Sequence, residues 1–104
     1  MRVLFDQATP LPIRAHLDQH VVSTAFDTLK NGELLTVAEQ AGFDVLLTTD
    51  KNLRYQQNLT DRKIAIVVLG VQQWPQLRAH VQRVVEAVGA AVSGSYVEIE
   101  IPAA

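Results

Sequence analysis

The chain predicts an α/β fold: a three-layer αβα sandwich on a mainly parallel sheet of four to five strands. Three observations carry this. Apolar runs alternate with amphipathic helical stretches along almost the whole chain, the order of strands and helices in a parallel-sheet domain. The strongest run, KIAIVVLG at 63–70, is continuously apolar, as a strand covered on both faces must be. The closing segment from Ser95 alternates Tyr96, Glu98 and Glu100 with Val97, Ile99 and Ile101. That is the signature of an edge strand with one wet face.

The elements follow in order. MRVLF (1–5) reads as a buried strand ending at Asp6. In ATPLPIRAHLDQH, Pro10 and Pro12 suit the start and first turn of a helix, with Ile13 and Leu17 on its inner side. HVVSTAF (20–26) is rich in β-branched residues and predicts the second strand. NGELLTVAEQAG (31–42) places Leu34, Leu35, Ala38 and Ala41 at helical spacing and stops at Gly42. FDVLLTT (43–49) is the third strand, and DKNLRYQQNL (50–59) is either a short helix or an ordered loop. After the strand at 63–70, WPQLRAHVQRVVEAVGAA (74–91) predicts a helix with Leu77, Val81, Val84, Val85 and Val88 along one side. The Gly-Ser stretch at 93–95 turns the chain into the last strand. No repeat, low-complexity tract or linker interrupts residues 1–104, so one domain is expected.

Composition narrows the function. With no cysteine, a disulfide framework and a thiol nucleophile are excluded, and a reducing, cytoplasmic setting is expected. RVLFD after Met1 is too short an apolar run for a signal peptide. No stretch approaches the roughly 20 apolar residues that cross a bilayer, so no membrane partner is expected. A net charge of −2 lacks the basic excess of proteins that coat nucleic acid. Any such partner must be gripped locally, with help from a metal ion. The isolated glycines make no phosphate-binding loop, and no serine sits on a nucleophile elbow. His16, His20 and His80 have no ligand spacing, and Trp74 before Pro75 reads as an apolar anchor, with a partner contact as the weaker reading.

In an open parallel sheet, functional residues gather beyond the carboxyl ends of the strands. Strand one delivers Asp6 to that edge and strand three delivers Asp50, while Glu33 lies in the first turn of the helix after strand two. Taken singly each has a structural explanation: Asp6 and Asp50 as caps, Glu33 as compensation of the helix dipole. Taken together, three converging carboxylates repel one another unless a cation sits among them. An all-oxygen set of this kind suits Mg²⁺ or Mn²⁺, which can activate water for phosphodiester hydrolysis. Asp44 lies at the opposite end of strand three, and Asp27 and Glu39 are expected to be solvated. Lys51, Arg54, Arg62 and Lys63, with Tyr55 among them, form the local basic concentration. They are either a phosphate-steering surface with a stacking ring or ordinary soluble loop residues.

MRVLFD, NGELLTVAEQAGFDVLLTTDKNL and the following RYQQNL resemble the small bacterial PIN-like proteins, relatives of the VapC-type toxin ribonucleases, from Met1 to about Gly70. The resemblance implies a PIN-like fold, RNA cleavage with Mg²⁺ or Mn²⁺ held by Asp6, Glu33 and Asp50, and a supporting hydroxyl at Thr48. It implies a protein antitoxin as partner and a role for 93–104 in pairing or dimerisation; RNA contacts at Lys51, Arg54 and Tyr55 rest on the basic concentration itself. The chain departs from the pattern at Gln7, where close relatives often carry Glu, and in a short stretch between Phe26 and Asn31. It also has Lys51 and Asn52 where many PIN domains carry a further acid, so Asn52 takes a supporting place and one ion or two stays open. The alternatives are a receiver-like signalling module and a PIN-like protein that kept the fold without the chemistry. Receivers, however, need an acid pair after strand one and a lysine after the last central strand, where this chain has Asp6-Gln7 and Gly70-Val71.

Overall fold

Each apolar run contains a strand. They are β1 (Arg2–Phe5), β2 (Val21–Thr24), β3 (Val45–Thr48), β4 (Ala65–Leu69) and β5 (Tyr96–Ile99). The helices are α1 (Asn31–Gln40), α2 (Trp74–Leu77) and α3 (Val81–Gly89). This computed structural model describes residues 1–6, 9–17, 21–24, 31–49, 62–70 and 73–101. The expected short helix or loop at 50–59 lies outside them, and with it Asp50, Lys51, Asn52, Arg54 and Tyr55.

The five strands pair in the order β2-β1-β3-β4-β5, and every pairing is parallel. From β1 the chain steps outward to β2, then crosses back to β3 and proceeds the other way. The junction between β1 and β3 is therefore the topological switch point, and its carboxyl edge is where open α/β sheets bind ligands.

Side-chain alternation explains why the central strands are apolar throughout. Val3, Phe5, Val45, Leu47, Ala65, Val67 and Leu69 face one cluster, which Ile13, Leu17, Leu77, Val84 and Val88 complete. Leu4, Leu46, Ile66 and Val68 face another, closed by Leu34, Leu35 and Ala38 of α1. Successive residues thus bury on opposite faces, each large aliphatic side chain contributing about 1.5–3 kcal/mol.

Three expectations are corrected in detail. The segment after β1 is a 3-10 helix, Leu11–Leu17, begun by Ile13 N–H donating to the Pro10 carbonyl at 3.3 Å. Two prolines explain this: the residue before Pro12 avoids the α conformation, and Pro12 has no N–H to give. Ile13 and Leu17 still bury completely. The helix expected over 74–91 is interrupted by a 3-10 turn at Arg78–His80, where His80 takes φ −124°, ψ 19°. Its inward side nonetheless survives, with Leu77, Val84 and Val88 buried and Val81 and Val85 packed beside them. In β5 the wet and dry faces are less cleanly divided than the alternation suggests. Tyr96 packs against the α1-side cluster, whereas Val97 is 40% exposed. β5 is the outermost strand beside β4, so helices cover it only in part.

Helix α1 ends where the glycine predicts. Phe43 N–H reaches the Ala38 carbonyl at 3.0 Å and Gly42 N–H the Glu39 carbonyl at 3.1 Å, with Gly42 at φ +83°. This paired closure satisfies terminal carbonyls and needs a left-handed residue. Ala41, expected inward, lies in this turn and is exposed; its carbonyl accepts from the Arg2 guanidinium. The turn hands the chain to β3 through Asp44, whose N–H donates to the Arg2 carbonyl and whose Oδ2 accepts from Arg2 N–H, both at 2.8 Å. Asp44 therefore is the strand-start residue the sequence predicts, at the edge opposite Asp6.

Candidate functional site at the β1–β3 switch point

The carboxyl ends of β1 and β3 are tied by short polar links. As β1 ends, Asp6 N–H donates to the Leu47 carbonyl at 2.9 Å, extending the ladder by one residue. Thr9 N–H donates to the Asp6 carbonyl at 2.9 Å. The Thr9 hydroxyl, buried, donates to the Leu47 carbonyl at 2.9 Å. These bonds hold the Asp6 backbone against β3.

The Asp6 side chain is held as well. The Thr48 hydroxyl donates to Asp6 Oδ2 at 2.6 Å, a length typical of a hydroxyl on an ionised carboxylate. Thr48 is 1% exposed and Asp6 half-buried. A carboxylate offers about four lone-pair positions, and this contact uses one of them. Among the described residues no cationic side chain bonds Asp6. Its charge is oriented, yet left uncompensated by them. Thr49, also buried, continues the chain to Asp50.

Glu33 is exposed in the first turn of α1. Because α1 runs back from the end of β2 to the start of β3, its first turn belongs to the carboxyl edge. Among the described residues no group of three His, Asp or Glu side chains gathers. Of the three acids expected to converge, Asp6 and Glu33 are described and Asp50 is not. Asp6 and Glu33 offer carboxylate oxygens and Thr48 a hydroxyl, donors of the kind a hard divalent cation takes. Mg²⁺ is commonly held by one or two carboxylates and several waters.

The opposite edge carries the other charge cluster and corrects one expectation. Glu39, expected to be solvated, is tied on both oxygens: Arg62 Nη1 donates to Oε1 at 2.8 Å and Lys63 N–H to Oε2 at 2.8 Å. Arg62 Nη1 also donates to Thr36 Oγ1 at 3.0 Å. Burial pushes the Glu39 carboxyl up, but the Arg62 guanidinium and the N–H groups of Lys63 and Ile64 outweigh it and hold it below the usual range. Arg62 and Lys63 precede β4, so they stand at the amino edge. They do not join a basic surface beside Asp6.

Sequence reasoning missed Thr9 and Thr49 as members of the polar junction. Their signal is slight: Thr9 precedes Pro10 three residues after the strand-ending acid, and Thr49 sits between Thr48 and Asp50. Trp74 is partly buried against the α3-side cluster, as an anchor should be, with its ring centroid 5.9 Å from that of His16.

No protein-family model matches the chain, and no curated protein or solved structure shows significant similarity to it. Among the described residues no helix is long and apolar enough to cross a membrane.

Proposed function

We propose that the chain is a Mg²⁺- or Mn²⁺-dependent endoribonuclease with a PIN-like three-layer αβα sandwich, acting as the toxin of a toxin–antitoxin pair and restrained by a protein antitoxin. The observation that carries this reading is the Thr48–Asp6 hydrogen bond of 2.6 Å at the β1–β3 switch point. A half-buried carboxylate oriented by a neutral hydroxyl, at the edge where α/β sheets bind ligands, is suited to receive a cation. Asp6, Glu33 and Asp50 are the ligands in this reading. Bound there, the ion supplies an activated water and offsets negative charge gathering on the phosphate. Thr48 keeps the Asp6 carboxylate in one orientation, and the Thr9 hydrogen bonds fix the backbone beneath it. Lys51 and Arg54 draw in the phosphate backbone, Asn52 supports the acidic centre, and Tyr55 stacks on a base.

The test is cleavage of single-stranded RNA by the partner-free chain during Mn²⁺ titration, beside Asp6→Asn and Asp50→Asn. Cleavage that requires the metal and vanishes in both variants supports the reading; a folded wild-type chain that cuts no RNA at any Mn²⁺ concentration overturns it.

One observation favours a second reading. The strand order β2-β1-β3-β4-β5 is also that of flavodoxin-like and receiver domains, an analogy at the level of fold. A receiver would accept a phosphoryl group on Asp50. Incubation with a small phosphodonor and intact-mass measurement decides, since stable phosphorylation of Asp50 favours signalling over nuclease chemistry.

A further inference from the structure

A concave feature lies on the same sheet edge as Asp6. A hollow of about 500 Å³ at the carboxyl ends of β4 and β5 is lined by Gly70, Ile99 and Ile101, with Arg83, Glu98 and Glu100 around them. Sites for small organic ligands span roughly 300–1,000 Å³. The floor is fixed by a close approach. A Cβ at Gly70 would sit 2.7 Å from the Ile99 carbonyl oxygen and 3.0 Å from Ile101 N, so only glycine lets the two strand ends meet this way. Arg83 is also positioned, its Nη1 donating to the Glu100 carbonyl at 2.9 Å. Tyr96 Oη, in turn, donates to Glu98 Oε1 at 3.0 Å.

The charge of the hollow decides what class of ligand fits. Among the lining side chains two carboxylates stand beside one guanidinium, a set of acceptors that suits N–H donors better than a phosphate. A flat, neutral group carrying N–H donors suits it: the isoleucines meet its face, the Arg83 plane stacks on it, and the carboxylates accept from an exocyclic amine. Position supplies the rest. With all strands parallel, their carboxyl ends share one edge, and adjacent strands lie about 4.8 Å apart. The β4–β5 junction is two and a half such steps from β1, so the hollow lies roughly 12 Å from Asp6 along the edge. That is about three to four steps of stacked strand at ~3.4 Å each, and fewer where bases are splayed.

We propose that this hollow is the subsite for an unstacked, amino-bearing base (cytosine, adenine or guanine) of a single-stranded RNA whose backbone crosses the Asp6–Thr48 junction. The inference rests on the ribonuclease reading and deepens it: Lys51 and Arg54 grip the backbone in that reading, and the β4–β5 edge chooses the base. Uracil, which offers a carbonyl where cytosine offers its amine, is disfavoured.

Sequencing the products of a random oligoribonucleotide pool cut by the full chain with Mn²⁺ tests this. The wild type shows an amino-bearing base at one fixed position displaced from the cut. Glu98→Gln/Glu100→Gln, whose amides also donate, admits uracil there, and KM for the preferred sequence rises about tenfold with kcat unchanged. Glu100→Gln alone changes an exposed side chain and keeps the fold should the double variant not; it shows the same shift in smaller measure. If the wild type cuts RNA but the variants retain its base profile and KM, the subsite is overturned and the nuclease reading stands. If the folded wild type cuts nothing, both fall.

Discussion

The two edges of the sheet each present a carboxylate held by neighbouring groups, and they hold it differently. At the amino edge Glu39 meets a guanidinium and main-chain N–H groups, so its charge is answered within the chain. At the carboxyl edge Asp6 meets a hydroxyl, which orients charge without answering it. The first arrangement ends in itself: it fastens α1 to the approach of β4. The second leaves room for a cation, the role given to it in the proposed function. Two acids of similar exposure thus separate by the kind of donor they face.

The sharpest way to break this contrast is Asp6→Asn. On the functional reading, activity falls by at least the ~100-fold that loss of a supporting residue alone can cost. Stability scarcely changes, because the removed charge was not paired by described residues. Metal-dependent RNA cleavage and thermal melting measured together check both halves. A large loss of Tm with intact cleavage would show instead that the Asp6 charge is structural.

Thr48→Val sharpens the same point one step out. Valine keeps the shape and removes the hydroxyl that holds Asp6 Oδ2. Cleavage falls about 10–100-fold, as for losses of residues that orient a metal ligand. Since half-buried Asp6 can be rehydrated, stability changes by only about 1 kcal/mol. Raising Mn²⁺ recovers part of the rate if Thr48 acts through ligand orientation, so the metal-activation curve shifts to higher concentration.

How much of this contrast was legible beforehand follows from the physics of each edge. Strand positions and their two-sided burial were legible because every residue of β1, β3 and β4 after Arg2 buries on one face or the other. Asp6 stood out as the first acid after such a run, whereas Thr48 was singled out only by the resemblance to PIN-like proteins. The Glu39–Arg62 link was hidden, since its partners are 23 residues apart and no periodicity encodes a pairing across sheet and helix. One clue existed: a glutamate in the last turn of a helix opposes the dipole and calls for a cation. The break at His80 had no such clue, because its sequence reads as unbroken helix.

Gly42→Ala attacks the amino edge through its backbone. At φ +83° an alanine costs about 1–2 kcal/mol, and its Cβ would sit 3.1 Å from Arg2 Nη1. The Arg2 guanidinium lies over the Phe43 ring, 4.5 Å from its centroid, and has to shift. Denaturant unfolding should show this loss while metal-dependent cleavage per folded molecule stays at the wild-type level. A selective loss of cleavage would instead couple the two edges.

The smallest effect is the most diagnostic of how Glu39 is held. Its carboxyl is held below the ordinary range, so the folded state releases its proton more readily than the unfolded chain, where glutamate titrates near 4.3. The resulting stabilisation is full above about pH 4.3 and drains away as pH falls through the lower folded value. With side chains about a fifth exposed (23% for Arg62, 20% for Glu39), solvent screening limits the link to less than about 1 kcal/mol. Glu39→Gln should therefore unfold slightly more easily than wild type at pH 7, and the gap should close in acid below that window. Chemical denaturation at pH 7 and at successively lower pH reads this directly. A gap that never narrowed as the pH fell would assign the contribution of Glu39 to packing, and with it the contrast between a charge answered at one edge and a charge left open at the other would lose one of its two terms.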